Sequence, residues 1–242
     1  IVFMVLGALP FVVYIKALRG HPRSLLEDSQ VRGLLGFLVG VCIIVTCWLM
    51  TARDMDFANA LRTATFNVTS IVTTTGYASS DYTQWGTFAV GLFFLLMFVG
   101  GCAGSTTGGI KIYRLQVTGL LIRSHFVHLM SPNRVVTLVY NGKRLPADVP
   151  FSVVAFLAIY MSTVGLFTVV LSAMCLDLVT ALSASAQAGG NVGPGLGPIV
   201  GPAGNYSGLP VLAKWILSLA MMMGRLELFT VLVLLRIEFW RS

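Results

Sequence analysis

The distribution of apolar residues along the chain predicts several membrane-spanning helices. Long stretches without Asp, Glu, Lys or Arg cover residues 33–52, 87–110 and 149–176. A helix needs about 20 apolar residues to cross roughly 30 Å of hydrocarbon, so all three stretches are long enough. A fourth span, from about 209 to 235, also fits if charged residues within it are held inside the membrane.

Two shorter segments, 56–72 and 177–188, predict helices that enter the membrane without crossing it. Each begins with an Asp that suits a helix N-cap, and each reads Asp-x3-Ala-Leu. Each is followed by a glycine-bearing loop, with Gly76 and Gly193 in matching places. The order span, half-helix, glycine loop, span therefore occurs twice, which indicates an internal repeat.

Composition and charge identify an integral membrane protein and predict its orientation. Hydrophobic residues make up 56% of the chain and charged residues 10%, against about 25% charged in soluble domains. The net charge of +7 does not indicate nucleic-acid binding, because the basic residues lie between apolar stretches. Most Lys and Arg fall in 16–32, 111–148 and the C-terminus, which the positive-inside rule places in the cytoplasm. Both half-helices then enter from outside and end near the membrane centre.

The loops that contain Gly76 and Gly193 have the chemistry of a cation pathway. A half-helix that ends inside the membrane presents unpaired carbonyls and the negative end of a helix dipole. The following Thr-Thr-Thr-Gly-Tyr can align successive carbonyls that replace a cation's hydration shell, as in potassium-channel filters. The alternative is a pair of re-entrant turns that only pack helices together.

A glycine-rich segment at 100–109 predicts a break in the span that begins near residue 87. It contains five glycines, each of which costs a helix about 1 kcal/mol relative to Ala. The alternative is close helix packing through small residues. No Gly-Lys-Ser/Thr follows these glycines, and Ser105 is not in a G-x-S-x-G elbow, so neither a P-loop nor a serine nucleophile is predicted. His125 and His128 have no acidic neighbour in sequence and predict a surface pair rather than a metal site.

Arg225 lies near the middle of the last predicted span. An Arg at that depth costs at least about 2.5–3.5 kcal/mol on insertion scales, so it must face protein or water. Glu227 is two residues away and points to a different face of the helix. The exposed carbonyls of the glycine-rich segment are the expected partners, and an aqueous vestibule is the alternative.

Four motifs together resemble one known family. FNVTSIVTTTGYASSDYTQW, GGCAGSTTGGIKIYR, GGNVGPG and GRLELFTVL are similar to the TrkH family, the potassium-translocating membrane subunits of bacterial Trk systems in the Trk/Ktr/HKT superfamily. The resemblance implies an all-α polytopic membrane protein with tandem membrane helix–pore helix–membrane helix repeats, as in potassium channels.

The resemblance also implies how the chain divides. We expect the end of a preceding repeat's last transmembrane helix, a cytoplasmic loop, a third repeat with a broken second helix, a cytoplasmic linker and a fourth repeat. In that order the segments are 1–18, 19–32, 33–130, 131–148 and 149–242. The apolar stretch at 1–15 suggests that the chain is a fragment of a longer subunit.

The resemblance assigns roles to three sets of residues. Potassium, the transported ion, would be bound by the backbone carbonyls of Thr73, Thr74, Thr75, Gly76, Asn191, Val192 and Gly193. An intramembrane gating loop would consist of Gly100, Gly101, Gly104, Ser105, Thr106, Thr107, Gly108 and Gly109. Arg225 would hold that loop closed. The fourth loop reads Val-Gly-Pro where a symmetric filter has Gly-Tyr, so the filter would be asymmetric.

The expected function is potassium uptake across the bacterial inner membrane, without enzyme activity or an organic cofactor. The resemblance implies a homodimer docked on a cytosolic nucleotide-binding regulatory subunit like TrkA. An intramembrane hydrolase would need Ser–His, Ser–Lys or paired Asp at membrane depth, and the sequence offers none. Another alternative stays open, namely a scaffold protein in which the loops that contain Gly76 and Gly193 only pack helices together. Two copies of a two-repeat chain could also supply four loops, although the helix at 1–15 favours a missing first half.

Overall fold

The computed structural model describes residues 1–134 and 136–226, which are mostly helical. The helices are α1 Val2–Ala8, α2 Phe11–Leu18, α3 Ser24–Glu27, α4 Ser29–Arg53, α5 Phe57–Val72, α6 Thr87–Leu96, α7 Ile112–Met130, α8 Asp148–Ser172, α9 Leu178–Gly190, α10 Gly197–Val200 and α11 Val211–Arg225. Short 3-10 helices lie at Tyr82–Trp85 and Tyr206–Gly208. Within the described residues, α4 and α8 are the two helices whose length and hydropathy suffice to cross a membrane.

Two helix groups share the order of a long helix, a short helix and a loop. We call them the third and fourth repeats, after the numbering that the family resemblance implies. In the third α5 packs against α4, and in the fourth α9 packs against α8 and α11. Both half-helices are capped by the predicted Asp: Asp56 accepts from the Ala58 amide at 3.2 Å, and Asp177 from the Thr180 amide at 3.0 Å. Hydrogen bonds from Thr180 lower the pKa of the Asp177 carboxyl, which keeps this cap charged. The half-helices therefore begin where the sequence predicted.

The helix that follows the loop of the third repeat ends earlier than the glycine-rich segment predicts. An uninterrupted span over 87–110 does not form, because α6 ends at Leu96, before the first glycine of the segment. The chain then turns back on itself, and Val99 pairs with Ile110 in a parallel bridge. Residues 100–109, hereafter the glycine loop, lie between these two paired residues, and α7 begins at Ile112.

The N-terminal segment 1–18 is not the single helix end that we expected. It is two short helices, because Pro10 has no N–H to continue the ladder and Leu9 is extended. The carbonyls freed at the break are used by the glycine loop: the Cys102 amide donates to Ala8 O at 2.9 Å. In return, the Phe11 amide donates to Gly104 O at 3.1 Å.

The linker predicted at 131–148 contains a small β-hairpin that the sequence analysis did not anticipate. Strands Val139–Tyr140 and Lys143–Arg144 pair antiparallel around Asn141 and Gly142, both of which have positive φ, as a tight Asn-Gly turn requires. The hairpin lies against the N-terminus of α4. The segments 16–32 and 111–148 therefore meet on one side of the molecule, as their basic residues predicted.

The core continues from one repeat into the other. Tyr82 stacks on Phe93 with ring centroids 4.2 Å apart, and Trp48 donates its indole N–H to Trp85 O at 3.0 Å. The cluster behind the third repeat also buries Val192 of the fourth. The same apolar cluster therefore packs behind the loops that contain Gly76 and Gly193. The predicted span beyond residue 226, with Glu227, Arg236 and Arg241, lies outside the described residues.

Candidate functional site

The third loop, residues 73–76, is formed by an abrupt end of the half-helix α5. The amide of Thr75 donates to Ser70 O at 2.9 Å, which turns the chain back over the last helical turn. Thr74 has a φ of 52° and Gly76 a φ of 82°, so both lie in the left-handed region. Such a path turns successive carbonyls away from the helix ladder.

The fourth loop, residues 191–193, ends α9 in a similar way. Asn191 has a φ of 53° and Gly193 a φ of 116°. The Val192 amide donates to Gln187 O at 3.0 Å, and the Asn191 side chain donates to Met221 O of α11 at 3.0 Å. The loop is therefore tied both to its own half-helix and to the helix that follows.

The structure brings the two loops into backbone contact at their predicted glycines. A Cβ on Gly76 would lie 2.4 Å from Val192 O, closer than any side chain can approach. A Cβ on Gly193 would lie 3.3 Å from the Cα of Gly76. The residues that the sequence placed in matching positions of two repeats are thus neighbours in space.

The glycine loop lies directly beneath both filter candidates. The Gly108 amide donates to Thr74 Oγ1 at 2.9 Å, and a Cβ on Gly108 would lie 2.1 Å from Gly190 O. A Cβ on Gly100 would lie 2.0 Å from Gly108 O, so the loop also closes tightly on itself. Gly108 therefore lies in close contact with the ends of both half-helices.

Hydroxyl and ammonium groups fix the shape of the glycine loop. Ser105 Oγ donates to Cys102 O at 2.6 Å, and Thr107 Oγ1 accepts from the Gly101 amide at 3.0 Å. The Lys111 ammonium donates to Thr107 O. Lys111 was predicted only as a cytoplasmic charge, and its position two residues after the last glycine was the signal that could have linked it to the loop.

Arg225 reaches the partner that the sequence predicted. Its Nη1 donates to Thr106 O at 2.7 Å, across 119 positions of the chain. The side chain is not buried, and it also borders a cavity of about 330 Å³ lined by residues 104–109. Arg225 therefore binds a carbonyl of the glycine loop and also borders a cavity.

Basic side chains line part of the cavity below the glycine loop. Lys111, Arg114 and Arg225 line it, and the Arg114 guanidinium lies 3.7 Å from the Phe156 ring centroid. Basic side chains at this place can bind the partly negative loop carbonyls, as Arg225 and Lys111 do.

Three residues that support the loops were missed by the sequence analysis. In α5, the buried Asn67 donates to Ser79 Oγ at 2.9 Å and accepts from the Ser79 amide at 3.1 Å. In α9, Ser183 Oγ accepts from the Leu196 amide at 2.9 Å. Both are polar residues of the half-helices that hold the returning chain. The third, Tyr206, donates its hydroxyl to Gly193 O at 2.7 Å, and no local signal marks it.

The histidines lie away from these loops. His125 and His128 are exposed on α7, and the described residues contain no group of three or more His, Cys, Asp or Glu that could hold a metal ion.

Comparisons with known proteins agree on one family. The TrkH family, described as cation transport protein, matches residues 1–241. The chain is 50% identical over 240 residues to the Trk system potassium uptake protein TrkI of Halomonas elongata, which covers 99% of the chain and 49% of that protein. It is 32% identical to the Trk system potassium uptake protein TrkH of Vibrio parahaemolyticus, over 100% of the chain and 50% of that protein.

The fold also matches a solved structure. The crystal structure of the potassium transporter TrkH from Vibrio parahaemolyticus aligns with a TM-score of 0.92 and 32% identity, over 99% of the chain and 52% of that protein. The chain spans about half the length of the curated relatives it matches. It belongs to the TrkH family of cation transport proteins, and its fold is that of an all-α polytopic membrane protein.

Proposed function

We propose that this chain forms half of a potassium uptake pathway in the bacterial inner membrane. The contact between Gly76 and the Val192 carbonyl carries the proposal, because it joins two half-helix ends at one point. Each half-helix directs the negative end of its dipole toward this point, which favours a cation. In a whole subunit with four repeats, the other repeats would complete the ring.

The selectivity of this pathway would come from backbone carbonyls of residues 73–76 and 191–193. The left-handed residues in both loops turn carbonyls out of the helical ladder, where they are available to an ion. A ring of carbonyls can replace the hydration shell of potassium without covalent chemistry. Potassium is the transported ion in this proposal, and no organic cofactor or enzyme activity is involved.

The glycine loop would be the gate of the pathway. Its Gly108 amide donates to Thr74 Oγ1, and Gly108 also lies against Gly190 and Asn191 at the end of α9. Arg225 and Lys111 hold two successive carbonyls, those of Thr106 and Thr107. Conduction then requires that the loop leave its position, and these two tethers resist that movement.

Regulation would come from the cytoplasmic side. The family resemblance supports a homodimer and a cytosolic nucleotide-binding regulatory subunit like TrkA. The hairpin Val139–Arg144 presents Lys143 and Arg144 on the exposed surface of the side assigned to the cytoplasm. We place the regulatory contact on that side.

The filter proposal predicts that Gly76→Ser and Gly193→Ser each reduce potassium selectivity. The added Cβ must displace the opposite loop, and a side chain at positive φ is strained. We expect the preference for potassium over sodium to fall at least about tenfold, or about 1.4 kcal/mol. The measurement is uptake of potassium, rubidium and sodium into liposomes that hold the full-length protein.

Gly91→Ser and Gly165→Ser are the matched controls, because an added Cβ at either helical glycine meets no atom within 4 Å. They should retain the parent's selectivity. If the loop variants transport with the parent's rate and selectivity, or if the parent itself does not transport, the loops only pack helices and the scaffold alternative is correct.

The gate proposal predicts that Arg225→Ala increases potassium uptake in the absence of the regulatory subunit. A hydrogen bond from a charged donor contributes about 1.5–3 kcal/mol, and the lower value applies to this exposed side chain. We expect an increase of about tenfold in liposome uptake without the regulator.

Arg225→Lys is the matched variant, because an ammonium can still donate to the Thr106 carbonyl, and it should stay close to the parent. Size-exclusion profiles check that each variant folds. Uptake by Arg225→Ala equal to that of the parent would rule out the tether, although not the pathway.

A further inference from the structure

Tyr206 covers the outer side of the fourth loop. It begins the 3-10 helix Tyr206–Gly208, and its hydroxyl donates to Gly193 O at 2.7 Å. Asn205 caps this helix by accepting from the Ser207 amide at 3.0 Å, and Lys214 Nζ donates to Ser207 O at 2.9 Å. The short helix that carries the phenol is therefore held at Ser207 by two side chains.

The third loop has a different arrangement. The residue after Gly76 is Tyr77, whose side chain is 70% exposed. The fourth loop continues instead into Pro194, and its tyrosine comes from a segment 13 residues away from the glycine it contacts. One loop thus has an outward tyrosine, and the other has a tyrosine bound to its glycine carbonyl.

A hydroxyl on a carbonyl changes what that carbonyl can offer an ion. The oxygen has two lone pairs, and the phenol occupies one and fixes the direction of the other. Burial raises the pKa of Tyr206, so the hydroxyl stays protonated and keeps donating throughout the physiological range. Ion selectivity depends on the number, direction and field strength of the carbonyl dipoles.

We propose that Tyr206 is a positioning residue for ion selectivity, because it holds the Gly193 carbonyl in one direction at the outer end of the fourth loop. The proposal rests on the proposed function as a potassium pathway. A fixed carbonyl cannot close around the smaller sodium ion, and a released one can.

The test is Tyr206→Phe in the full-length protein, which removes only the hydroxyl. Initial uptake rates in liposomes over a range of concentrations give kcat and KM separately for potassium, rubidium and sodium. We expect the ratio of kcat/KM for potassium to that for sodium to fall at least about threefold, chiefly through a lower KM for sodium. A merely structural role would change the yield or Tm and leave this ratio intact.

Tyr77→Phe is the matched control, since it removes the hydroxyl of the exposed tyrosine beside the third loop, and its ratio should equal the parent's. Asn205→Ala, which loosens the 3-10 helix but keeps the phenol, should lower the ratio less than Tyr206→Phe does. If Tyr206→Phe and Asn205→Ala both keep the parent's ratio of kcat/KM for potassium to that for sodium, the proposal is overturned. A parent that carries no potassium would instead contradict the proposed function.

A second inference rests on a different set of contacts, which connect the hairpin with the glycine loop. Asn141 Oδ1 accepts from the Ser29 amide at 3.0 Å, and its Nδ2 donates to Asp28 Oδ2 at 3.2 Å. One residue further along α4, Gln30 Oε1 accepts from the Ala103 amide at 2.8 Å. Two side chains at the N-terminus of α4 thus join the hairpin turn to the middle of the glycine loop.

A parallel connection passes through Gln116, one turn into α7. Its Oε1 accepts from the Tyr140 hydroxyl at 2.6 Å, and its Nε2 donates to Ser29 O at 2.8 Å. Burial raises the pKa of Tyr140, which keeps the phenol a donor. A Cβ on Gly33 would lie 2.1 Å from Gln116 Nε2, so this path needs a glycine there.

We infer that Gln30 is a positioning residue of the glycine loop and that it transmits the position of the hairpin to the loop. This rests on the proposed function only for its consequence in gating. Its structural part is tested without any transport, through the native Cys102, which is fully buried in the loop beside Ala103.

The test is the rate at which N-ethylmaleimide modifies Cys102 in the full-length protein, resolved by mass spectrometry. Gln30→Leu removes the acceptor, and Asn141→Gly removes the turn's side chain but keeps its positive φ. We expect both to raise the Cys102 rate at least about fivefold, because the loop opens more often. Gln30→Glu keeps an acceptor and should restore the parent's rate.

Thr137→Ala, an exposed change on the same linker, is the control and should match the parent. If Asn141→Gly leaves the Cys102 rate at the parent's value while Gln30→Leu raises it, the hairpin does not act on the loop. If neither variant raises it, Gln30 does not position the loop. Both results overturn the inference whether or not the protein transports potassium.

Discussion

Direct contact between backbone segments near the membrane centre is the constraint on which the rest of this structure depends. At Gly76, Gly108 and Gly224, an added Cβ would come within 2.4, 2.1 and 2.2 Å of a carbonyl oxygen in another segment. Only glycine permits such an approach, because any side chain would separate the segments. The loops at 73–76 and 191–193, the glycine loop and α11 therefore pack against one another through their backbones, and the side chains serve mainly to hold them in position.

Backbone surfaces at this depth leave many carbonyls without helical partners, and the structure satisfies them with groups from distant parts of the chain. Arg225 and Lys111 donate to carbonyls of the glycine loop, and Tyr206 donates to the Gly193 carbonyl of the fourth loop. A carbonyl that accepts from a protein donor is fixed in place, and at Gly193 the second lone pair of the oxygen is left for an ion. Donors from distant segments therefore position the carbonyls of both the proposed pathway and the proposed gate.

Features of the fold that depend on neighbouring residues could be predicted from the sequence. The Asp caps at 56 and 177 and the ends of both half-helices depend on local signals, and they lie close to where the pattern placed them. The break at Pro10 was missed because the apolar stretch around it indicated one helix, and its free carbonyls are used by a loop more than 90 residues later. Gln30 reaches Ala103 across 73 positions, and such a contact follows from the packing of repeats rather than from spacing.

The most direct test of this account is to locate the ion. Crystals of the full-length protein grown with rubidium or thallium in place of potassium would show the bound cation by anomalous scattering. The account predicts a peak enclosed by the carbonyls of residues 73–76 and 191–193, above the glycine loop, and a weaker peak in sodium-competed crystals. Anomalous density that avoids these carbonyls in a protein that still takes up rubidium would contradict the account.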